Sequence, residues 1–214
     1  MTKEAVKALM SVPDISTKVG LRDLTLLLVF YCTAARIDEV LSAKINQLHI
    51  EASKSYIVIV SKDLEIKTLC VISQTVTYLR KYSSIFHISN PDSFIFCSRN
   101  NGTKTKMTSE NVNQRLKKYA AQAHNICNDV PLGLHAHQIR HAKASHWLED
   151  GMNIIQISFL LGHANLQTTM VYLDITTEQE SKALATLESE NEQSIPKKWK
   201  MESNSLVTFL GIKI

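Results

Sequence analysis

The sequence predicts an α+β chain that is mainly helical and carries one small antiparallel sheet. Three features point there. Apolar residues recur at helical spacing over most of the 214 positions. Two β-branched runs, Tyr56-Ile-Val-Ile-Val and Ile66-Lys-Thr-Leu-Cys-Val-Ile, flank the polar Ser61-Lys62-Asp63-Leu64-Glu65, which is the pattern of a hairpin. Capping residues such as Thr108 stand just ahead of periodic stretches and mark where helices begin.

In chain order, residues 3–10 and 20–33 read as helices, the second with Leu21, Leu24, Leu27 and Leu28 on a buried stripe. Arg36-Ile-Asp-Glu-Val-Leu continues as another helix, and the hairpin follows. Residues 74–86 read as helix, Ser93-Phe-Ile-Phe-Cys as a short strand, and Asn100-Asn101-Gly102 as a turn. Thr108 caps a helix to about residue 124 with Val112, Leu116 and Tyr119 inward. Further helices cover 136–149, 153–161 and 166–173, with Gly162 as the glycine that ends the second and Asn165 as cap of the third. Thr177 and Glu180 form a capping box, so 178–189 reads as one more helix with Ala183, Leu184 and Leu187 on its apolar side. Ser189-Glu-Asn-Glu-Gln-Ser is a linker, and Leu206-Val-Thr-Phe-Leu-Gly-Ile-Lys-Ile a closing strand or loose tail.

With 44% apolar residues the chain can bury one good core, which fits one domain plus an appendage. The net charge is only +4, but it is uneven: residues 1–174 hold 19 Lys/Arg against 14 Asp/Glu, while Glu178, Glu180, Glu188, Glu190 and Glu192 make the next stretch acidic. A basic body suits a polyanionic partner. Cys32, Cys70, Cys97 and Cys127 are widely spaced without a Cys-x-x-Cys pair, which argues against a zinc ribbon or a disulfide scaffold and for reduced thiols. The N-terminus is too polar for a signal peptide, and the longest apolar run, Leu24 to Cys32, is too short to span a bilayer. A soluble, cytoplasmic protein is the expectation.

Two islands carry chemistry. In Leu134-His-Ala-His-Gln-Ile-Arg-His141, His137 and Arg140 lie three residues apart on one helical face, near a helix N-terminus that favours anions. In Leu160-Leu-Gly-His-Ala-Asn-Leu-Gln-Thr-Thr-Met-Val-Tyr172, His163 follows the helix-ending glycine, and Tyr172 offers a nucleophile. With Arg36 upstream these residues make a phosphate-handling set, more than a binding surface needs. Each alone has a plainer reading. Arg36 could be a surface partner of Glu39 or Asp38, His163 a helix-end group, and Tyr172 a core aromatic. His137 and His141 are spaced for zinc, but Gln138 stands where a metalloprotease has its carboxylate, and Arg140 would repel a cation. His141, His146 and Trp147 read as core or supporting groups.

Arg36 in Thr33-Ala-Ala-Arg-Ile-Asp-Glu-Val, the His137-x-x-Arg140-His141 box, Leu160-Leu-Gly-His163 and Tyr172 together resemble the tyrosine recombinase (phage integrase) family over roughly residues 2–175. The order Arg, Lys, His-x-x-Arg, His, Tyr and the separation of 23 between Arg140 and His163 match that family's pattern. The resemblance implies the catalytic fold of DNA breaking-rejoining enzymes for residues 1–175, with 176–214 as a C-terminal helix and tail exchanged between protomers or packed on their own body. The family's lysine lies in the hairpin, usually in a Gly-Lys-Gly-like turn. Here Ser61-Lys62-Asp63 takes that place, so Lys62 is the choice, with Lys67 the alternative. Where the family often has Ser/Thr-Pro, this chain has His135-Ala136; His135 is read as a cap of that helix or a group at the DNA edge. The usual N-terminal core-binding domain is not encoded, so the chain is either a fragment or a short protein needing help.

The implied reaction is attack by Tyr172 on a scissile phosphate, giving a 3′-phosphotyrosyl link and a free 5′-hydroxyl, without metal or other cofactor. Arg36 and Arg140 would clamp the non-bridging oxygens, Lys62 protonate the leaving oxygen, His137 accept or relay the tyrosine proton, and His163 donate to the phosphate. Glu39 is better placed to orient Arg36 than to react. The implied partner is double-stranded DNA at recombination sites, bound by a homotetramer whose free form could be monomeric. The setting is a prokaryotic cytoplasm at the nucleoid, and the task integration or excision of a mobile element. Topoisomerase IB-like relaxation and a catalytically silent DNA-binding regulator are the alternatives, and a metal-dependent nuclease lacks its carboxylate cluster.

Overall fold

The computed structural model describes residues 1–50, 54–60, 66–86, 90–98 and 105–162. All belong to one compact unit, Met1–Asp174. In order they form α1 (Lys3–Ser11), α2 (Lys18–Thr33), α3 (Ile37–Ser42), a 3-10 turn (Ile45–Gln47), β1 (Leu48–His49), β2 (Tyr56–Val60), β3 (Ile66–Cys70), α4 (Ser73–Phe86), α5 (Ser109–His124), α6 (Ala136–Glu149) and α7 (Ile154–Leu161). The mainly helical chain with one small antiparallel sheet is therefore what forms. Lys62, His163, Tyr172, the Asn100–Gly102 turn and every expectation for 166–214 lie outside the described residues.

Helix starts follow from side-chain capping. Thr2, Thr17 and Thr108 accept from Ala5, Gly20 and Asn111 amides, and Asn153 accepts from Ile155, each satisfying a donor the first turn leaves open. α2 is the central element. Its Leu21, Leu24, Leu26, Leu27, Leu28, Val29 and Phe30 are all buried, because α1, α4 and α6 pack around it instead of along one stripe. Each such side chain contributes about 1.5–3 kcal/mol by leaving water. The main core joins Leu26, Leu27, Val29 and Phe30 of α2 to Leu79, Tyr82, Phe96, Leu116, Leu134 and Ile139.

The hairpin register pairs Tyr56 with Cys70, Ile57 with Leu69, Val58 with Thr68, Ile59 with Lys67 and Val60 with Ile66. β1 adds a third strand that the sequence did not announce, pairing Leu48 with Ile57. Ile57, Ile59 and Leu69 face the core, and strict alternation puts Lys67 on the same side as Leu69. Residues 93–97 are not a strand. They make two isolated bridges, Lys44 with Phe94 and Cys97 with Lys106, while Ile95 and Phe96 are buried. The apolar run signalled burial there, but among the described residues it makes single bridges and no ladder.

A second, smaller cluster of Ala34, Ala144, Ile157 and Leu161 joins the end of α2 to α6 and α7. Among the described residues no helix is long and apolar enough to cross a membrane.

Candidate active site

The site is built where α2 ends. Its C-cap, Ala34, is fully buried and left-handed at φ 50°, the one described non-glycine residue with positive φ. Such a backbone is costly for a residue with a Cβ and persists where surroundings hold it. The holding contact is Arg140, whose NH1 donates to the Ala34 carbonyl at 2.7 Å while its NH2 donates to the Leu161 carbonyl at 2.7 Å. Arg140 is only 4% exposed. It thus ties the α2 end to the α7 end from α6.

Two residues past Ala34, Arg36 is the N-cap of α3. Its amide donates to Glu39 Oε2 at 2.8 Å and its NH1 lies 3.5 Å from Oε1, with half of the side chain in solvent. The plain reading of Arg36 as a partner of Glu39 and its reading as a phosphate clamp are therefore compatible. The carboxylate anchors one edge of the guanidinium, and the side chain still reaches water. Glu39 is buried at 8%, and its second cationic partner is Lys67, 3.4 Å from Oε1.

His137, on the first turn of α6, is exposed. Partial desolvation, then the charges of Arg140, His135 and Arg36, hold its pKa below the ordinary value of 6.5. His141 is shifted the same way by desolvation and by His137, Arg140 and His135, and the two rings meet edge to face at 4.2 Å between centroids. A neutral imidazole beside two guanidiniums can accept a proton at neutral pH. His135 occupies the N-cap position of α6, where its amide is satisfied by Gln138 Oε1 at 3.0 Å. His146 is not at the site: it is buried, with Nδ1 2.8 Å from the Tyr31 hydroxyl and Nε2 3.0 Å from the Met1 carbonyl.

Arg36, His137 and Arg140 thus converge from α3 and α6. Lys67 reaches the same group from β3 through Glu39. One contributor, Ala34, was not singled out from sequence, and Lys67 was named only as the alternative to Lys62. Ala34 carries no chemical signal of its own. Lys67 had a readable one: a lysine on the inward face of a strand, in step with Leu69.

The model of the phage integrase family matches residues 1–179. The chain belongs to the phage integrase family. Among curated relatives it is 30% identical over 179 residues to tyrosine recombinase XerC of Chlamydia caviae, covering 82% of this chain and 54% of that protein. It is 31% identical over 185 residues to tyrosine recombinase XerA of Pyrococcus horikoshii, covering 86% and 59%. The chain therefore spans little more than half the length of these relatives. Among solved structures, XerH site-specific recombinase bound to palindromic difH substrate, a post-cleavage complex, superposes with a TM-score of 0.70 at 19% identity, covering 88% of this chain and 53% of that one. The Tn1549 transposon integrase with circular intermediate DNA gives 0.64 at 14%, covering 80% and 60%. At those identities the superpositions establish the fold, which is that of a tyrosine recombinase catalytic domain.

Proposed function

We propose that this chain is the catalytic part of a site-specific DNA recombinase that cuts and rejoins double-stranded DNA through Tyr172. The observation that carries the reading is that Arg140, which ties the ends of α2 and α7, lies one helical turn from His137 on α6, and that the charges of Arg140 and Arg36 help hold the His137 pKa below its ordinary value. The Tyr172 oxygen bonds to the scissile phosphorus as the P–O5′ bond breaks. Its phenolic proton passes to His137, and the departing 5′-oxygen takes a proton from Lys62. His163 donates to a non-bridging oxygen. The phosphodiester energy is kept in the phosphotyrosyl link, so rejoining needs no ATP.

On this reading the half-exposed Arg36 offers its planar fork to the non-bridging oxygens, while Arg140, bonded to the Ala34 and Leu161 carbonyls, adds fixed positive charge and its remaining N–H donors, and such groups act strongly where water is thin. Support for a DNA partner comes from the XerH and Tn1549 proteins, whose structures contain recombination DNA, and from the basic excess of residues 1–174. On this reading the chain acts as a tetramer on paired sites in the cytoplasm, in integration or excision of a mobile element. Residues 1–175 form the catalytic domain, and the 178–189 helix is exchanged between protomers.

The test is incubation with a nicked suicide oligonucleotide in chelator, followed by a denaturing gel. Wild type gives a DNA-protein adduct and Tyr172→Phe none. Equal adduct from both, or none from wild type joined to a core-binding domain, contradicts the reading.

A further inference from the structure

Lys67 stands out because its position conflicts with its residue type. The hairpin register sets it opposite Ile59 on the inward face of β3, in step with Leu69, where an ammonium has no place unless something receives it. The receiver is Glu39, itself 8% exposed, with Lys67 Nζ 3.4 Å from Oε1 and the Lys67 side chain 15% exposed. The far end of the same lysine lies against Gly162. A Cβ placed on Gly162 would fall onto Lys67 Nζ, 2.6 Å from Cε and 3.4 Å from Cδ, and Gly162 is left-handed at φ 63°. Glycine at 162 therefore serves two needs at once: the helix-ending turn and the room for this ammonium. Next to it, the Leu161 carbonyl is held by Arg140.

We propose that Lys67 is a positioning residue of the DNA-cleaving site. It is a strut from β3 that shares Glu39 with Arg36 and packs under the turn leading into His163. This rests on the recombinase reading given above. Electrostatics explain why the sharing matters. A buried carboxylate with Arg36 as its sole cation would draw that guanidinium fully onto itself, and a guanidinium spent on a carboxylate clamps phosphate poorly. With Lys67 supplying the second positive charge, Glu39 holds Arg36 by its amide at 2.8 Å and by a longer 3.5 Å contact to NH1. The fork stays half-exposed. The same commitment to Glu39 sets Lys67 apart from a proton donor, which must reach the departing oxygen.

The test uses the full chain, a nicked suicide site and its 5′-bridging phosphorothiolate analogue, in which P–S cleavage releases a thiolate that needs no proton. Lys67→Met is expected to slow adduct formation about 10–100-fold, the scale of an ångström-level misplacement. DNA affinity should stay near wild type, the unfolding midpoint should fall because the buried Glu39 loses one of its two cations, and the sulfur substrate should not restore the rate. Lys67→Arg, which keeps the charge, should remain within about fivefold of wild type. Should Lys67→Met fail to fold, Lys67→Gln carries the same comparison. A wild-type rate in the Met or Gln variant, or rescue by the sulfur substrate, overturns the proposal, the latter by making Lys67 the proton donor. Competitive acetylation of the protein without DNA reads the strut independently. Lys67 should react several times more slowly than the exposed Lys54, Lys117 and Lys118, and faster once Glu39→Gln removes its partner. Equal reactivity in the wild type overturns the strut. If wild type joined to a core-binding domain forms no adduct, the recombinase reading fails, and acetylation still decides whether Lys67 is held.

Discussion

Asp23 and Glu39 are both buried carboxylates, 4% and 8% exposed, and each receives two cations, yet they do opposite work. Around Asp23 the bonds are short and closed. Arg22 donates from Nε at 3.0 Å and NH2 at 2.8 Å, the Tyr119 hydroxyl at 2.7 Å, and Arg115 NH1 lies at 3.2 Å. Around Glu39 the cations stand off at 3.4 and 3.5 Å, and the arginine is half in solvent. The Asp23 cluster ties α2 to α5 and is spent on the fold. The Glu39 cluster holds its cations by one edge and leaves donors facing outward. On the proposed function, the spacing of the same ion-pair chemistry separates a clamp on the protein from a clamp for a phosphate.

The largest break in that comparison is Asp23→Ala. Removing one member of a buried, hydrogen-bonded charge cluster leaves Arg22 uncompensated, so urea unfolding should show a loss of about 3–5 kcal/mol. Arg36→Ala should do the reverse. Stability should change by about 0.5 kcal/mol or less, while adduct formation falls about 10²–10³-fold, the loss typical of one donor to a developing oxyanion. Arg36→Lys should recover only part of that rate, because a point charge lacks the fork.

Gly162→Ala comes next. A left-handed backbone costs a residue with a Cβ about 1–2 kcal/mol, and here the added methyl also displaces Lys67. Cleavage should therefore drop by more than the stability loss explains, which single-turnover rates and thermal unfolding on one preparation would separate.

The smallest effect is a pH dependence of stability. Burial, aided by Lys3 and the N-terminus and opposed by Glu149, holds His146 below its ordinary 6.5. The unfolded chain then binds the proton more readily than the fold does. The contribution is intact above pH 6.5 and is lost as pH falls from there toward the folded value. The unfolding midpoint should decline on acidification through that window, and His146→Gln should flatten the decline.

These two carboxylates also show how far the sequence could be read. Helices were legible because their apolar residues keep a 3.6-residue period and Thr108 caps one of them, whereas the caps Thr2 and Thr17 show only in the structure. Arg36, His137 and Arg140 were singled out because phosphate chemistry restricts residue type, and in the fold the charges of Arg140 and Arg36 reach His137 closely enough to lower its pKa. The Asp23 cluster was not legible: Arg22 and Asp23 are adjacent in a leucine-rich helix, and their partners Arg115 and Tyr119 are more than ninety positions away. Their one local trace is a charged pair inside an otherwise apolar stretch. β1 escaped notice because two residues carry no period, and 93–97 looked like a strand because a short apolar run is buried whether or not it pairs. The lysine was the hardest choice. Turn chemistry drew attention to Lys62 and left Lys67 as the alternative, and the parity of Lys67 with Leu69 gains weight once the register of β2 and β3 is fixed.

The central claim is that this cationic pocket serves a tyrosine nucleophile. Its most direct test is to trap the chain on a suicide DNA site in chelator, digest the adduct with protease and nuclease, and map the modified peptide by mass spectrometry. The account predicts a nucleotide-linked phosphate on the peptide containing Tyr172, absent in Tyr172→Phe and strongly reduced in Arg36→Ala. A nucleotide found on any other residue, or an adduct that survives Tyr172→Phe, would contradict it.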